Sequence, residues 1–130
     1  MNSDSGLINI KIELFGIGIL EGQIIRHINP LSADAIIEKL PFGMRGRFSF
    51  GSKTYWTLPG LGIYKGPNPK STKMVEKGDI IYNPKTDELI IIIEDFEMPN
   101  KVNKVGKVFS NLKLLLEARN GLNTKISRKR

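Results

Sequence analysis

At 130 residues with no cysteine, the chain is sized for one core and excludes disulfide frameworks, zinc knuckles and thiol nucleophiles, which fits a reducing cytoplasm. Its formal charge of +7 is uneven: residues 1–100 carry 11 Lys/Arg against 12 Asp/Glu, whereas residues 101–130 carry 9 against Glu117 alone. Apolar residues make up 40% of the chain and include 18 isoleucines, a type that suits pleated surfaces, and no run reaches the ~20 apolar residues of a membrane-spanning helix.

The first six residues lack the basic and then apolar pattern of a secretory signal and read as a flexible N-terminus. Residues 7–14 alternate strictly, with Ile8, Ile10, Ile12 and Leu14 on one face and Asn9, Lys11 and Glu13 on the other, which predicts a half-buried strand. Glycines at 16 and 18 turn the chain into a second extended run over 19–28, with Gly22 as a bend or bulge. At Asn29-Pro30 the period changes. Asn29 is placed to cap a helix and Pro30 to open it, and Ala33, Ile36, Ile37 and Leu40 recur at helical spacing until Pro41.

Residues 45–50 and 52–58 are aromatic-rich runs separated by Gly51, which predicts a tight hairpin. A Gly/Pro/Asn loop follows over 66–71, then a second hairpin of residues 80–82 and 88–94 around Pro84-Lys85-Thr86-Asp87. Ile90 to Ile93 is an uninterrupted apolar run, as expected of a strand buried on both faces. Residues 95–103 read as a polar connection and 104–109 as a further strand. Ser110 is then the expected cap of a helix whose buried face is Leu112, Leu115 and Leu116, and residues 122–127 read as a closing strand. The count is about eight strands and two helices in one domain over 7–127, with 128–130 a basic tail.

Three segments in this order resemble one family: Asn29-Pro30 through Pro41, Gly78-Asp79-Ile80-Ile81-Tyr82-Asn83-Pro84, and Val102-Asn103-Lys104-Val105-Gly106-Lys107-Val108. They look like the small cyclophilin-like proteins of archaea and bacteria. The resemblance covers residues 7–128 and implies a mostly β chain folded as a closed eight-stranded cyclophilin-like β-barrel with two short capping helices. It extends to true cyclophilins, the peptidyl-prolyl isomerases, through Gly106-Lys107-Val108 leading into residues 112–119. Their catalytic arginine is matched by Arg45 or Arg47. Their glutamine and phenylalanine fall on residues 89–93, which contain neither, and their histidine falls near Val102. The segment 50–56 also lacks the Trp-Gly pair and acidic residues of the nearer relatives.

Chemistry is sparse. His27 is the only histidine, and no serine sits in a nucleophile elbow, so a His-based triad has no frame. Glu94-Asp95 and Asp87-Glu88 read as solvated turns, and no cluster supplies the ligands of a metal site. Neither a catalytic residue nor a cofactor is expected. The aromatic and basic set Arg45, Arg47, Phe48, Tyr55, Trp56 and Tyr64 is the expected binding groove for a small molecule or peptide, by stacking and charge. Two alternatives stand beside it. One is residual prolyl isomerisation, with Arg47 as the electrophilic group above Phe48 and Ile92. The other is weak nucleic-acid contact through Lys125, Arg128, Lys129 and Arg130, because clustered cations release counterions from phosphates.

Overall fold

A computed structural model of the chain describes residues 6–49 and 51–129. The described residues are mostly β, with one α-helix and one 3-10 helix among them. Strands β1 (Leu7–Leu14) and β2 (Gly18–Ile25) form the expected hairpin, paired from Leu7 opposite Ile25 to Leu14 opposite Gly18. Ile10, Ile12 and Leu14 are buried as the alternation requires.

Helix α1 (Pro30–Lys39) buries Ser32, Ala33 and Ile36. Its start departs from expectation, because the Asn29 side chain does not cap it. Instead the Asn29 amide donates to the Lys104 carbonyl at 2.8 Å and ties the helix start to a distant strand.

The expected hairpin is made by β4 (Arg47–Phe48) and β5 (Tyr55–Leu58), preceded by β3 (Phe42–Arg45), but it is not tight at Gly51: residues 49–54 separate the two strands. Next come β6 (Thr72–Val75), β7 (Asp79–Asn83), β8 (Glu88–Ile92), the long β9 (Phe96–Ser110), the 3-10 helix Leu112–Glu117 and β10 (Asn123–Arg128). Residues 128 and 129 are not a free tail: Arg128 ends β10, and the Lys129 amide donates to the Asn9 carbonyl at 2.9 Å. β6 is an additional strand, beyond those expected from the sequence. β9 starts eight residues earlier than expected, because Pro99 falls where the β6–β9 register shifts and no ladder bond is asked of it.

The ladder runs β3-β10-β1-β2-β9-β7-β8-β5-β4, with β6 paired to β9. The expected closed eight-stranded barrel is therefore corrected. There are ten strands in an open antiparallel sheet, and β3 is not paired with β4. The physical reason is local. One run of chain, residues 42–48, supplies both ends of the ladder, and its ladder pairing switches from β10 to β5 across Gly46.

Alternation along the central strands feeds two cores. Leu89, Ile91 and Ile93 join Trp56, Leu58, Ile80 and Tyr82 in the larger one, which α1 and Leu115 also enter. Ile90 and Ile92 point the other way, to Ile81, Val75, Met98 and Val102, under β6 and the first half of β9. The isoleucine run is thus buried on both faces, as expected. Each such side chain contributes about 2 kcal/mol relative to exposure.

The segment after β9 is a 3-10 helix and not the expected α-helix. Ser110 still belongs to β9, and the chain turns at Asn111 in a left-handed conformation (φ 64). Leu112, Leu115 and Ala118 recur every three residues, which is the 3-10 period. Leu115 and Ala118 are buried, whereas Leu116, counted for the α-helical face, is 45% exposed.

Candidate functional site

Gly46 carries the passage between the two edges of the sheet. Its N–H donates to Leu122 at 2.9 Å, and its carbonyl accepts from Gly121 at 2.7 Å. Two residues on, the Phe48 amide donates to Asn120 Oδ1 at 2.8 Å, so the turn before β10 satisfies the outer side of β4. Beneath Gly46 lies Trp56, fully buried, with its indole N–H donating to Thr124 Oγ1 at 3.1 Å. Phe48 rests edge-on against Trp56, with centroids 4.8 Å apart.

Beside this seam is a solvent-open hollow of about 490 Å3, lined by Phe48, Ser49, Ser52, Lys53, Arg119 and Asn120 among others. Half-buried Phe48 offers it an aromatic surface. Lys53 Nζ sits 5.3 Å from the Phe48 ring centroid and donates to the Leu116 carbonyl at 2.8 Å. Arg119 is exposed, and among the described residues it makes no ion pair and no carboxylate lines the hollow. Asn120 Oδ1 is occupied by the Phe48 amide. An aromatic surface flanked by two cations, with serine hydroxyls nearby, can hold a flat anion by stacking and charge.

Only part of the expected groove assembles. Phe48 and Trp56 meet, but Trp56 belongs to the core and has no free face. Tyr55, its neighbour on β5, points to the opposite side of the sheet and packs on Phe96 at 5.7 Å. Arg47 is committed to Glu88 at 2.8 Å, Arg45 is exposed on β3, and Tyr64 stands 82% exposed on the loop before β6. Neighbouring strand residues face opposite ways, so a contiguous sequence cluster divides between the two faces. Lys53 and Arg119 were not singled out from sequence. Arg119 lies 66 residues beyond Lys53 and reaches the hollow only because the end of the 3-10 helix lies beside β4.

The basic C-terminal residues are interleaved with acids. Lys125 lies opposite Glu13 in the β1–β10 register, and Lys129 pairs with Glu21 at 2.8 Å. Arg128 ends the strand, and Arg130 lies outside the described residues. Among the described residues no group of three or more His, Asp or Glu could hold a metal, and no helix is long and apolar enough to cross a membrane.

The strongest buried polar arrangement holds the 59–71 loop. Asp87 accepts the backbone N–H groups of Gly62 (2.6 Å), Ile63 (3.2 Å) and Tyr64 (3.0 Å) and the Tyr82 hydroxyl (2.5 Å). Burial pushes the Asp87 carboxyl up, but the bonds from Tyr82 and the three amides outweigh it and hold the group below its ordinary value. Burial, and then the bond to Asp87, push the Tyr82 hydroxyl up to about 12. Asn103 extends the same tether by accepting from the Asn68 amide and donating to Ser32 and to the Gly66 carbonyl. All four acceptances by Asp87 come from the protein itself, so this carboxylate shapes a loop.

No family model matches the chain, and no curated protein matches it in sequence. Among solved structures it is similar to the solution structure of the hypothetical protein AF2241 from Archaeoglobus fulgidus, with a TM-score of 0.76 and 16% identity over 99% of this chain and 100% of that one. It is also similar to McbB, described in complex with tryptophan, with a TM-score of 0.76 and 15% identity over 92% of this chain. The match spans 44% of the McbB chain. At such identities the likeness shows a shared fold, and function rests on the site.

Proposed function

We propose that the chain is a small-molecule binding module of cyclophilin-like architecture, without efficient prolyl isomerase activity, and that its ligand is a flat anion held between Phe48, Lys53 and Arg119. The observation that carries this reading is an aromatic surface with two cations and no carboxylate around it. A curled sheet whose two edges belong to one run of chain supports the architecture. McbB, a protein sharing the fold, is described in complex with tryptophan, a small molecule with a flat ring, which supports the small-molecule part of this reading.

Benzoate is the simplest probe. At a tenfold excess over its Kd it should raise Tm by about 4 °C, while benzylamine, of the same shape and opposite charge, should leave Tm unchanged. Arg119→Gln should remove the benzoate effect, since the Arg119 side chain makes no ion pair that folding would miss. An equal shift with both probes, or an undiminished shift in the variant, would refute the site.

The isomerase alternative meets two obstacles. Arg47 is held by Glu88, and the aligned catalytic strand, residues 89–93, is fully buried with no polar side chain. A proline-containing peptide should isomerise at its uncatalysed rate in the presence of the protein, followed by a protease-coupled or NMR exchange assay. Acceleration that scales with protein concentration would reinstate catalysis.

A further inference from the structure

We infer a second ligand site, for a free apolar α-amino acid, in a hollow beside the 3-10 helix that shares no lining residue with the first. This hollow, about 450 Å3, has Ile93, Leu112 and Leu116 as its apolar wall and Lys77, Lys113 and Glu94 as its charges, with Asn111 beside them. The volume lies within the range of small-molecule sites.

The apolar wall is supplied by the three-residue period of the 3-10 helix. That period turns Leu115 inward, leaves Leu112 half-buried and leaves Leu116 45% exposed, so that Leu112 and Leu116 both line this space. An exposed leucine beside a nearly buried Ile93 gives an apolar side chain something to cover.

The charges are of both signs and uncommitted. None of Lys77, Lys113 and Glu94 makes an ion pair or a side-chain hydrogen bond among the described residues. Their backbones, in contrast, are well placed. The Lys77 amide donates to Asp95 at 2.9 Å, and the Glu94 amide donates to the Thr54 carbonyl at 3.1 Å. Asn111 is fixed by its own amide on the Ile19 carbonyl at 3.0 Å, which leaves its Oδ1 as an acceptor.

Two ammonium groups and one carboxylate around an apolar wall complement one small class of molecule. The ligand's carboxylate meets Lys77 and Lys113, its ammonium meets Glu94 and Asn111 Oδ1, and its side chain covers Leu112 and Leu116. A flat anion of the kind proposed for the first hollow would face Glu94 with nothing to offer it, so the two hollows differ in the ligands they select.

The test is an amide NMR titration of the full chain with L-phenylalanine, N-acetyl-L-phenylalanine and L-phenylalaninamide. The expected result is saturable shifts at Glu94, Leu112, Lys113 and Leu116 with L-phenylalanine, and binding at least about tenfold weaker for both blocked forms. Glu94→Gln, whose side chain has no partner to lose on folding, should weaken L-phenylalanine by about the same factor and leave the acetylated form unchanged. Equal affinity for free and blocked forms, absence of saturable shifts, or shifts confined to Phe48 and Arg119 would each overturn the second site. The last of these outcomes would leave the first hollow standing, and benzoate shifts at Phe48 report on that hollow separately.

Discussion

Gly46→Ala is expected to destabilise the protein by more than about 3 kcal/mol, lowering Tm by at least about 10 °C in thermal or denaturant unfolding. An alanine Cβ at this position would lie 2.1 Å from Trp56 Cε2 and 2.2 Å from Cζ2 and Nε1. Neither partner can yield cheaply. Trp56 is fully buried and holds Thr124, and moving the backbone outward strains the bonds of Gly46 to Leu122 and Gly121. The cost therefore combines overpacking with loss of the link between the two sheet edges. Gly66→Ala is the matched control, since its added methyl meets nothing within 4 Å, and its effect should be near zero or slightly stabilising. Wild-type stability in Gly46→Ala would show that the indole is free to move and would remove the seam as a structural constraint.

Asp87→Ala should cost about 3–5 kcal/mol, because it leaves three backbone amides and a buried phenol without their acceptor. Asp87→Asn is milder, about 1–3 kcal/mol, since one side of the amide still accepts while the other opposes a donor. The pH dependence separates this account from simple loss of packing. The folded-state pKa of Asp87 is depressed, so its contribution is present above the ordinary carboxylate range, near pH 4, and is lost as pH falls through the lower folded value. Tyr82 has the opposite sense. Its pKa rises from 10.0 to about 12, so its contribution is complete below pH 10 and is lost as pH rises toward 12. Asp87→Asn should flatten the acid limb of the stability profile, and Tyr82→Phe the alkaline limb. Unchanged limbs in both variants would show that the pair does not carry the linkage.

Elements with one buried face are legible in the sequence. The alternation in β1 and the spacing of Ala33, Ile36 and Ile37 in α1 follow directly from the side of the element that meets the core. The double burial of Ile90 to Ile93 was also legible, because no polar residue interrupts the run. β6 was not, since Thr72-Lys73-Met74-Val75 is an edge strand with a half-exposed pattern, and its partner, the start of β9, contains Pro99. The second helix is legible but its 3-10 type is not, because leucines at 112, 114, 115 and 116 satisfy a period of 3.6 as readily as one of 3. Of the expected groove only Phe48 lines the candidate hollow. Gly22, read as a bend or bulge, does sit at a register shift of the β2–β9 pair. Gly106 shows a different limit: an added methyl would lie 2.2 Å from the Gln23 carbonyl oxygen of the paired strand, and such proximity of backbones leaves no trace in hydropathy.

The short ends of the ladder bear on behaviour at high concentration. A long exposed strand edge is a template for another chain, and sheets usually defend such edges with charge, proline or brevity. Here β3 spans four residues ending in Arg45, and β4 spans two beginning with Arg47. Both are short, and each carries an arginine, which is the brevity and charge that blunt an edge. Off the main path, β6 carries Lys73 at its centre. A protein so rich in isoleucine strands thereby keeps its strongest β-forming segments, β7 and β8, inside the sheet, where they have no free edge to offer for fibril growth.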